Sequence, residues 1–394
     1  MSRPRIYLRS EGWYFLFVAL FVLGGAVLRH VNLLVALAGL MAAALLIHYQ
    51  LLVQALSRLD VLRILPPRIC AGDVLEVEIA ITHRHKRGAI YVLEFREEVV
   101  RIDPPTEDAP EAAAVLFPVV EPKAITTRRY ACLLTRRGIY QFAKAELLSR
   151  YPFGLLEGCC RLDLPDQLVV CPRLGQLHAS WRNLLDAEHD GQQRSRHRRG
   201  LLEADFYALR EWRNGDSRRW IHWRTSAKLG TLSVRQFEQR RSCELVLVCD
   251  LWQPGEPTAE QAARVEEVVS FAATAVTDLA RHGGAQLTFV LAGKGLRLWH
   301  AAASSLFAQE MLEQLATCEA SFTPELLAAD RQLNEYVSPG TRVIVLSTRP
   351  RPPLSVGSAN QFKSIERLHE ARWLDCSAGD FDAYFSLEEE AFSA

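Results

Sequence analysis

The side chains able to do chemistry are densest between residues 200 and 241, GLLEADFYALREWRNGDSRRWIHWRTSAKLGTLSVRQFEQRR. From Asp190 to Arg241 there are thirteen Arg or Lys and six Asp or Glu, although the 394-residue chain balances 46 against 46. Trp212, Trp220 and Trp223 are interleaved with these arginines. Asn214-Gly215-Asp216 reads as a turn, with Asp216 capping a helix from Ser217 to about Leu229 and Gly230 stopping it. Arg218 and Arg219 would then lie in the first turn, where they oppose the helix dipole. Something other than helix stability must hold them: Glu203, Asp205 or Glu211 nearby, or an external anion. Trp220, Trp223 or Arg224, and Ala227 share one helical face. One reading is a structural clasp of ion pairs and cation–π contacts, in which Trp223 is core and the arginines meet Glu211, Asp216, Asp250 or tryptophan faces. The other is a partner-binding surface. Stacking of nucleic-acid bases would need an RNA-binding fold that this block lacks, and zero net charge excludes a wholly basic binder, so no nucleic acid is expected.

An enzyme would have to use Asp216, His222 and Asp250 around a pocket. His222 offers acid–base chemistry, but no nucleophile or orienting partner is visible beside it. There is no G-x-S-x-G and no P-loop, and Gly283-Gly284 and Gly293-Lys294-Gly295 read as turns. His83 and His85 share a hairpin turn and read as solvated. The nine cysteines stand singly except for Cys159-Cys160, with no C-x-x-C, which argues against a zinc ribbon or a thioredoxin-like site. Their odd number suits reduced thiols in a cytosolic compartment. The expectation is a non-enzymatic protein with no catalytic residues, metal or cofactor.

The elements that position this block begin with two apolar runs. Trp13 to Leu28 holds sixteen residues without a charge, and a second run extends from Leu33 to Ile47 and less purely to Val53. Two membrane helices near 13–29 and 33–53 follow, within a hairpin over 1–57. A cleaved signal peptide followed by a buried helix is the rival reading, opposed by the second apolar block. Arg3, Arg5 and Arg9 precede the first run and Arg58, Arg63 and Arg68 follow the second, which places both ends and all soluble domains on the cytoplasmic side of the inner membrane. Residues 58–175 alternate apolar and polar in short runs (74–82, 90–100, 113–120, 126–135, 138–149) separated by Pro and Gly turn signals, as in a β-sandwich. Residues 176–199 read as a polar linker. After the 200–241 block, residues 242–394 alternate strands (243–250, 285–293, 341–348, 372–377) with helices (259–283, 304–320 and a shorter one near Pro324–Tyr336). That pattern implies a doubly wound α/β sheet.

The run from Leu209 to Glu238 resembles the signature of the domain-of-unknown-function family fifty-eight, on Leu209, Arg210, Glu211, Trp212, Gly215, Asp216, Arg219, Ile221, Trp223, Ser226, Ala227 and Lys228. RRGIYQFAKAELLSRYPFGLLE (136–157) resembles the family's upstream block, with Tyr151 in place of its Asp. The resemblance implies a bacterial or archaeal membrane protein with a von Willebrand factor A-like end. It also implies a protein partner such as a MoxR-type AAA+ ATPase and a role in assembly or maturation. A-domains of this kind often hold Mg²⁺ in a D-x-S-x-S loop after the first strand. Here the loop is Asp250-Leu251-Trp252-Gln253-Pro254, so Asp250 is present and both serines are missing. Asp250 is therefore a degenerate metal-loop position, expected to cap a turn or to pair with a basic residue of the 200–241 block.

Overall fold

The computed structural model describes residues 4–29, 31–57, 59–84, 88–104, 110–186, 205–213, 218–238, 243–255, 258–323, 341–351 and 371–387. They form two compact units, the first built on Met1–Arg173 with Glu313–Thr317 and the second on Leu174–Leu312 and Cys318–Ala394.

The first unit opens with a short strand, β1 (Arg5–Leu8), followed by α1 (Ser10–Arg29) and α2 (Asn32–Leu56). Both helices are long and apolar enough to cross a membrane, and they pack on each other. Small residues let two helices approach closely, and Ala26 and Ala38 are buried while most of their neighbours are exposed. Nine more strands follow: β2 (Leu59–Ile64), β3 (Ile69–Cys70), β4 (Val74–His83), β5 (Ile90–Asp103), β6 (Glu111–Val120), β7 (Ile125–Leu133), β8 (Gly138–Ser149), β9 (Leu156–Leu162) and β10 (Gln167–Cys171). β2, β4 and β7 make an antiparallel three-stranded sheet. The other strands make a seven-stranded sheet in which β1 pairs with β9 at one edge. The alternating apolar positions of both sheets enclose one core, with Leu75, Val77, Ile79 and Tyr130 on one side and Phe95, Phe117, Phe142 and Val170 on the other. One ion pair runs through it. Arg63 of β2 donates from Nε to Glu97 Oε2 of β5 at 3.0 Å and from Nη1 to the Leu164 carbonyl at 3.1 Å. The Tyr130 hydroxyl donates to the second Glu97 oxygen. Both charges are fully buried, so their mutual pairing is what makes the burial tolerable.

The second unit begins with β11 (Gln176–Leu177) and α3 (Ala179–Asp186). A hairpin, β12 (Asp205–Glu211) and β13 (Ser233–Glu238), encloses the short helix α4 (Trp223–Leu229). Then come β14 (Cys243–Asp250), α5 (Ala259–His282), β15 (Ala285–Gly293), β16 (Gly295–Ala302), α6 (Ser305–Ala316), β17 (Arg342–Ser347), β18 (Arg372–Asp375) and β19 (Phe385–Ser386). The five-stranded sheet has the order β16-β15-β14-β17-β18. β15, β14, β17 and β18 are parallel and β16 is an antiparallel edge. β14 is buried on both faces from Leu245 to Asp250, which is why it reads as an unbroken apolar run.

Part of the expected linker is structured. Gln176–Leu177 pair with Phe385–Ser386 in β19, and α3 sets Trp181 fully buried at 5.3 Å from the Phe271 ring of α5. Phe271 also meets Phe381 and Phe385, both at 4.9 Å. A single fully buried aromatic, with Leu184 and Leu185 half-buried beside it, supplies enough burial to dock a short helix, so a segment of largely polar composition is nevertheless structured. The strand β16 is an addition to the sequence reading, as are β1, β2, β3, β9 and β10. The helix expected near Pro324–Tyr336, residues 187–204 of the linker region, and Gly215 and Asp216 lie outside the described residues.

Candidate functional site

Two places in the second unit gather the residues singled out above. The first is the crevice at the carboxyl ends of β14 and β17. The sheet order reverses between these strands, one chain segment leaving β14 toward β15 and another returning to β17 on its other side. Open α/β sheets bind ligands at this switch point. Asp250, the last residue of β14, is 1 % exposed. Ser347 Oγ at the end of β17 donates to Asp250 Oδ2 at 2.9 Å, and Arg349 Nε donates to the same oxygen at 3.0 Å. The Arg349 guanidinium lies 4.8 Å from the centre of the Trp252 ring, and its backbone carbonyl accepts from Trp373 Nε1 at 3.2 Å. Thr348 ties the two loops together, its Oγ1 accepting from the Trp252 N–H at 3.1 Å and donating to the Trp252 carbonyl at 2.5 Å. Burial pushes the Asp250 carboxyl above the ordinary carboxylate range, and Arg349 and Ser347 pull against it.

These residues do not fit a hard divalent cation. Trp252 and Pro254 stand where hydroxyl ligands are needed, and the Asp250 oxygen facing β17 is taken by a guanidinium. Asp375 at the end of β18 is engaged locally, accepting from Ser377 N at 2.8 Å and Ser377 Oγ at 2.7 Å. Asp250 thus pairs with Arg349, and among the described residues no hydrogen bond or ion pair joins it to the 200–241 block. The cation that answers this carboxylate stands directly after β17 and reaches it across the crevice.

The second place is the signature hairpin. Its helix starts at Trp223, separated by Ile221 and His222 from a 3-10 turn over Arg218–Trp220, so the expected continuous helix is broken. His222 is the cap: Thr225 N donates to its Nδ1 at 3.3 Å, and Gly230 ends α4 in the left-handed conformation at φ +72. Ile221 bridges to Val234 of β13, and both are buried. Ser226 is the staple of the motif. Its Oγ accepts from Ser233 N at 2.9 Å and donates to the His222 carbonyl at 3.1 Å, joining α4 to β13. Trp212 is half-buried, with its backbone N–H on the Leu232 carbonyl at 2.8 Å, and Arg210 Nη1 donates to the Glu211 carbonyl at 3.1 Å. Glu211, Arg219, Ala227 and Lys228 are exposed. Trp223 is 66 % exposed, which corrects the expectation that it is core: with the helix starting at residue 223, its first side chains project away from the hairpin. The hydrogen-bond partner of the His222 ring is Thr225, and those of Asp250 are Ser347 and Arg349. No hydrogen bond joins His222 to Asp250, and neither lines the cavity of about 290 Å³ formed by Gln176, Arg182, Thr274, Asp278, Arg281 and their neighbours.

Residues 208–348 match the family model described as "Protein of unknown function DUF58". No curated protein matches the chain. Among solved structures, the chain is similar to one titled "X-ray structure of Northeast Structural Genomics Consortium target SoR45", at 14 % identity. That match covers 29 % of this chain and 85 % of that one with a TM-score of 0.20.

Proposed function

We propose that this chain, which over residues 208–348 belongs to the domain-of-unknown-function family 58, is a non-enzymatic membrane-anchored scaffold whose soluble part binds a protein partner. In this reading α1 and α2 anchor it in the inner membrane with both soluble units in the cytoplasm, and the first of them is a β-sandwich-like spacer. The second is a von Willebrand factor A-like domain, a reading supported by the order β16-β15-β14-β17-β18 with one antiparallel edge. The partner proposed from the family resemblance is a MoxR-type AAA+ ATPase.

The observation that carries the binding reading is the exposure of Trp223. The most specific stretch of the sequence spends a tryptophan on the surface, with the exposed Arg218, Arg219 and Arg224 near it in sequence and Leu229 and Leu232 also open. Trp and Arg are the residues that dominate binding hot spots, and their truncation there commonly costs about 2 kcal/mol or more. The buried carboxylate of the switch-point crevice, meanwhile, is closed by Arg349 and not left open for a reaction.

The test is site-specific photocrosslinking from position 223 in native membranes, followed by identification of the adduct and a binding assay with the purified partner. The expected result is one dominant adduct with a AAA+ ATPase, and a loss of binding in Trp223→Ala of at least about tenfold. Unchanged binding in Trp223→Ala, or a dominant adduct with a small molecule, would overturn the reading.

A further inference from the structure

The first unit carries a second surface that the scaffold reading does not use. α2 has 25 residues, about 37 Å at 1.5 Å per residue. The hydrocarbon core of a bilayer takes about 20 of them. The last turns of α2 therefore emerge on the side where β2 begins, and there Leu52 and Leu56 are fully buried, packed over Gly158 of β9. His48 lies about 12 Å back along the helix from Leu56, and its ring meets the edge of Phe153 at 5.8 Å between centroids. The start of α1 touches the same loop. A Cβ on Gly12 would lie 2.2 Å from the Leu155 carbonyl oxygen, and Arg9 N donates to that oxygen at 3.2 Å. The loop over 150–155 is thus clamped by α1 and α2 at the ends of the helices that join the β unit.

At those ends the loop is aromatic and open. Phe153 is 54 % exposed, and Tyr151 is exposed with its ring 5.1 Å from that of Tyr91, the second residue of β5, which is itself exposed. Val92 beside it holds φ +52, a conformation that a β-branched residue rarely takes, and its side chain is also exposed. Val119 pairs with Tyr91 across the ladder and extends the patch. Trp13, Tyr14 and Tyr49 form the exposed aromatic collar of the helices themselves. Aromatic side chains with one polar end favour the membrane interface.

We propose that the helix-proximal end of the first unit, through Tyr91, Val92, Val119, Tyr151 and Phe153, rests in the headgroup layer of the membrane that α1 and α2 cross. The occupant of the patch is the lipid surface, because the clamp on loop 150–155 holds the patch beside the emerging helices. The proposal rests on the reading of α1 and α2 as spans. It gives the scaffold a fixed seat: the β unit is held against the membrane by its own surface as well as by two covalent connections.

The experiment uses the full chain in vesicles of phosphatidylcholine and phosphatidylglycerol, with a small fluorescent amino acid introduced singly at Phe153, Tyr91, Val74 or Leu20. Quenching is measured by spin labels carried at the lipid headgroup or deep in the acyl chain. Val74 is the control. It is 49 % exposed and begins β4, about 30 Å along that strand from its helix-proximal end at His83. Leu20 reports the middle of α1. Positions 153 and 91 should be quenched by the headgroup label several-fold more than position 74, and position 20 most strongly by the deep label. If position 20 is quenched deeply while 153 and 91 behave like 74, the proposal is overturned and the spans stand. If position 20 is not quenched by the deep label, the spans fail and this proposal falls with them.

Discussion

Two residues of the signature motif separate structural roles from exposed ones. Ser226 is buried and satisfies the Ser233 N–H, so Ser226→Ala leaves a buried donor without its partner and should cost about 1–3 kcal/mol. Trp223, although larger, is mostly open, so Trp223→Ala should change stability by less than about 0.5 kcal/mol. Hydrogen exchange of the β12–β13 amides in the full chain would check both. A marked loss of protection in Trp223→Ala would restore the clasp. The same reasoning applies to Asp250. Its folded pKa is raised, so the folded state holds this proton more tightly than the unfolded chain does. That contribution to stability is fully present below the ordinary Asp pKa of about 4 and is lost as pH rises through the raised value. Arg349→Ala removes the counter-charge and lets burial act alone. It should cost about 3 kcal/mol near neutral pH, the lower end for breaking a buried pair because Arg349 is partly open, and less as the pH falls toward the raised pKa. Exchange rates in β14 and β17 across pH would report this, and a cost independent of pH would show that Asp250 is not the group responsible.

At the scale of elements, the segment before the signature shows how little apolar area is needed to fix a short helix when one residue is placed well. α3 has eight residues, and of these Trp181 carries the docking, fully buried against the Phe271, Phe381 and Phe385 cluster. Trp181→Ala should cost about 3–5 kcal/mol locally and release β11 from β19. Limited proteolysis between 174 and 186, followed by mass spectrometry, should show new cleavage in the variant. Unchanged resistance would mean that the β11–β19 pairing holds this segment unaided. The hairpin β12–β13 follows a similar economy. Its helical insert is held by a serine staple, a bridging isoleucine and a backbone bond from Trp212 to Leu232.

For the whole molecule, the prediction concerns sidedness. Arginines flank the two apolar helices on the outer ends and are sparse in the connection, so both soluble units should lie in the cytoplasm. A reporter active only in the cytoplasm, fused at residue 60 or at the C-terminus, should be active. A silent reporter on a well-expressed fusion would defeat the topology. β1 adds a constraint: residues 5–8 pair with β9, so the N-terminal flank of α1 belongs to the folded unit and lies on the same side as it.

The elements legible in the sequence are those decided by local periodicity. Sixteen uncharged residues from Trp13 and the run from Leu33 can only be long apolar helices, and the alternation over 74–82 and 90–100 can only hide one face. β14, α5, β15 and β17 follow from apolar runs and helical periodicity, and the structure adds the Thr258–Gln261 capping box that starts α5. The signature motif was legible as a motif, because a long series of residues at fixed spacing survives without any knowledge of contacts. What each of its residues touches was not. The choice between a buried and an exposed Trp223 depends on where the helix starts, and that is decided by the His222 N–H donating to the Ser233 carbonyl of β13 and by Ser226 accepting from the Ser233 N–H. The partner of Asp250 lies ninety-nine positions away in Arg349, in a loop that meets it only because two parallel strands end side by side. Local sequence carries the backbone's preference for helix or strand. The pairing of a charge or the burial of an aromatic is settled by which distant segment arrives beside it, and that is a property of the tertiary fold alone.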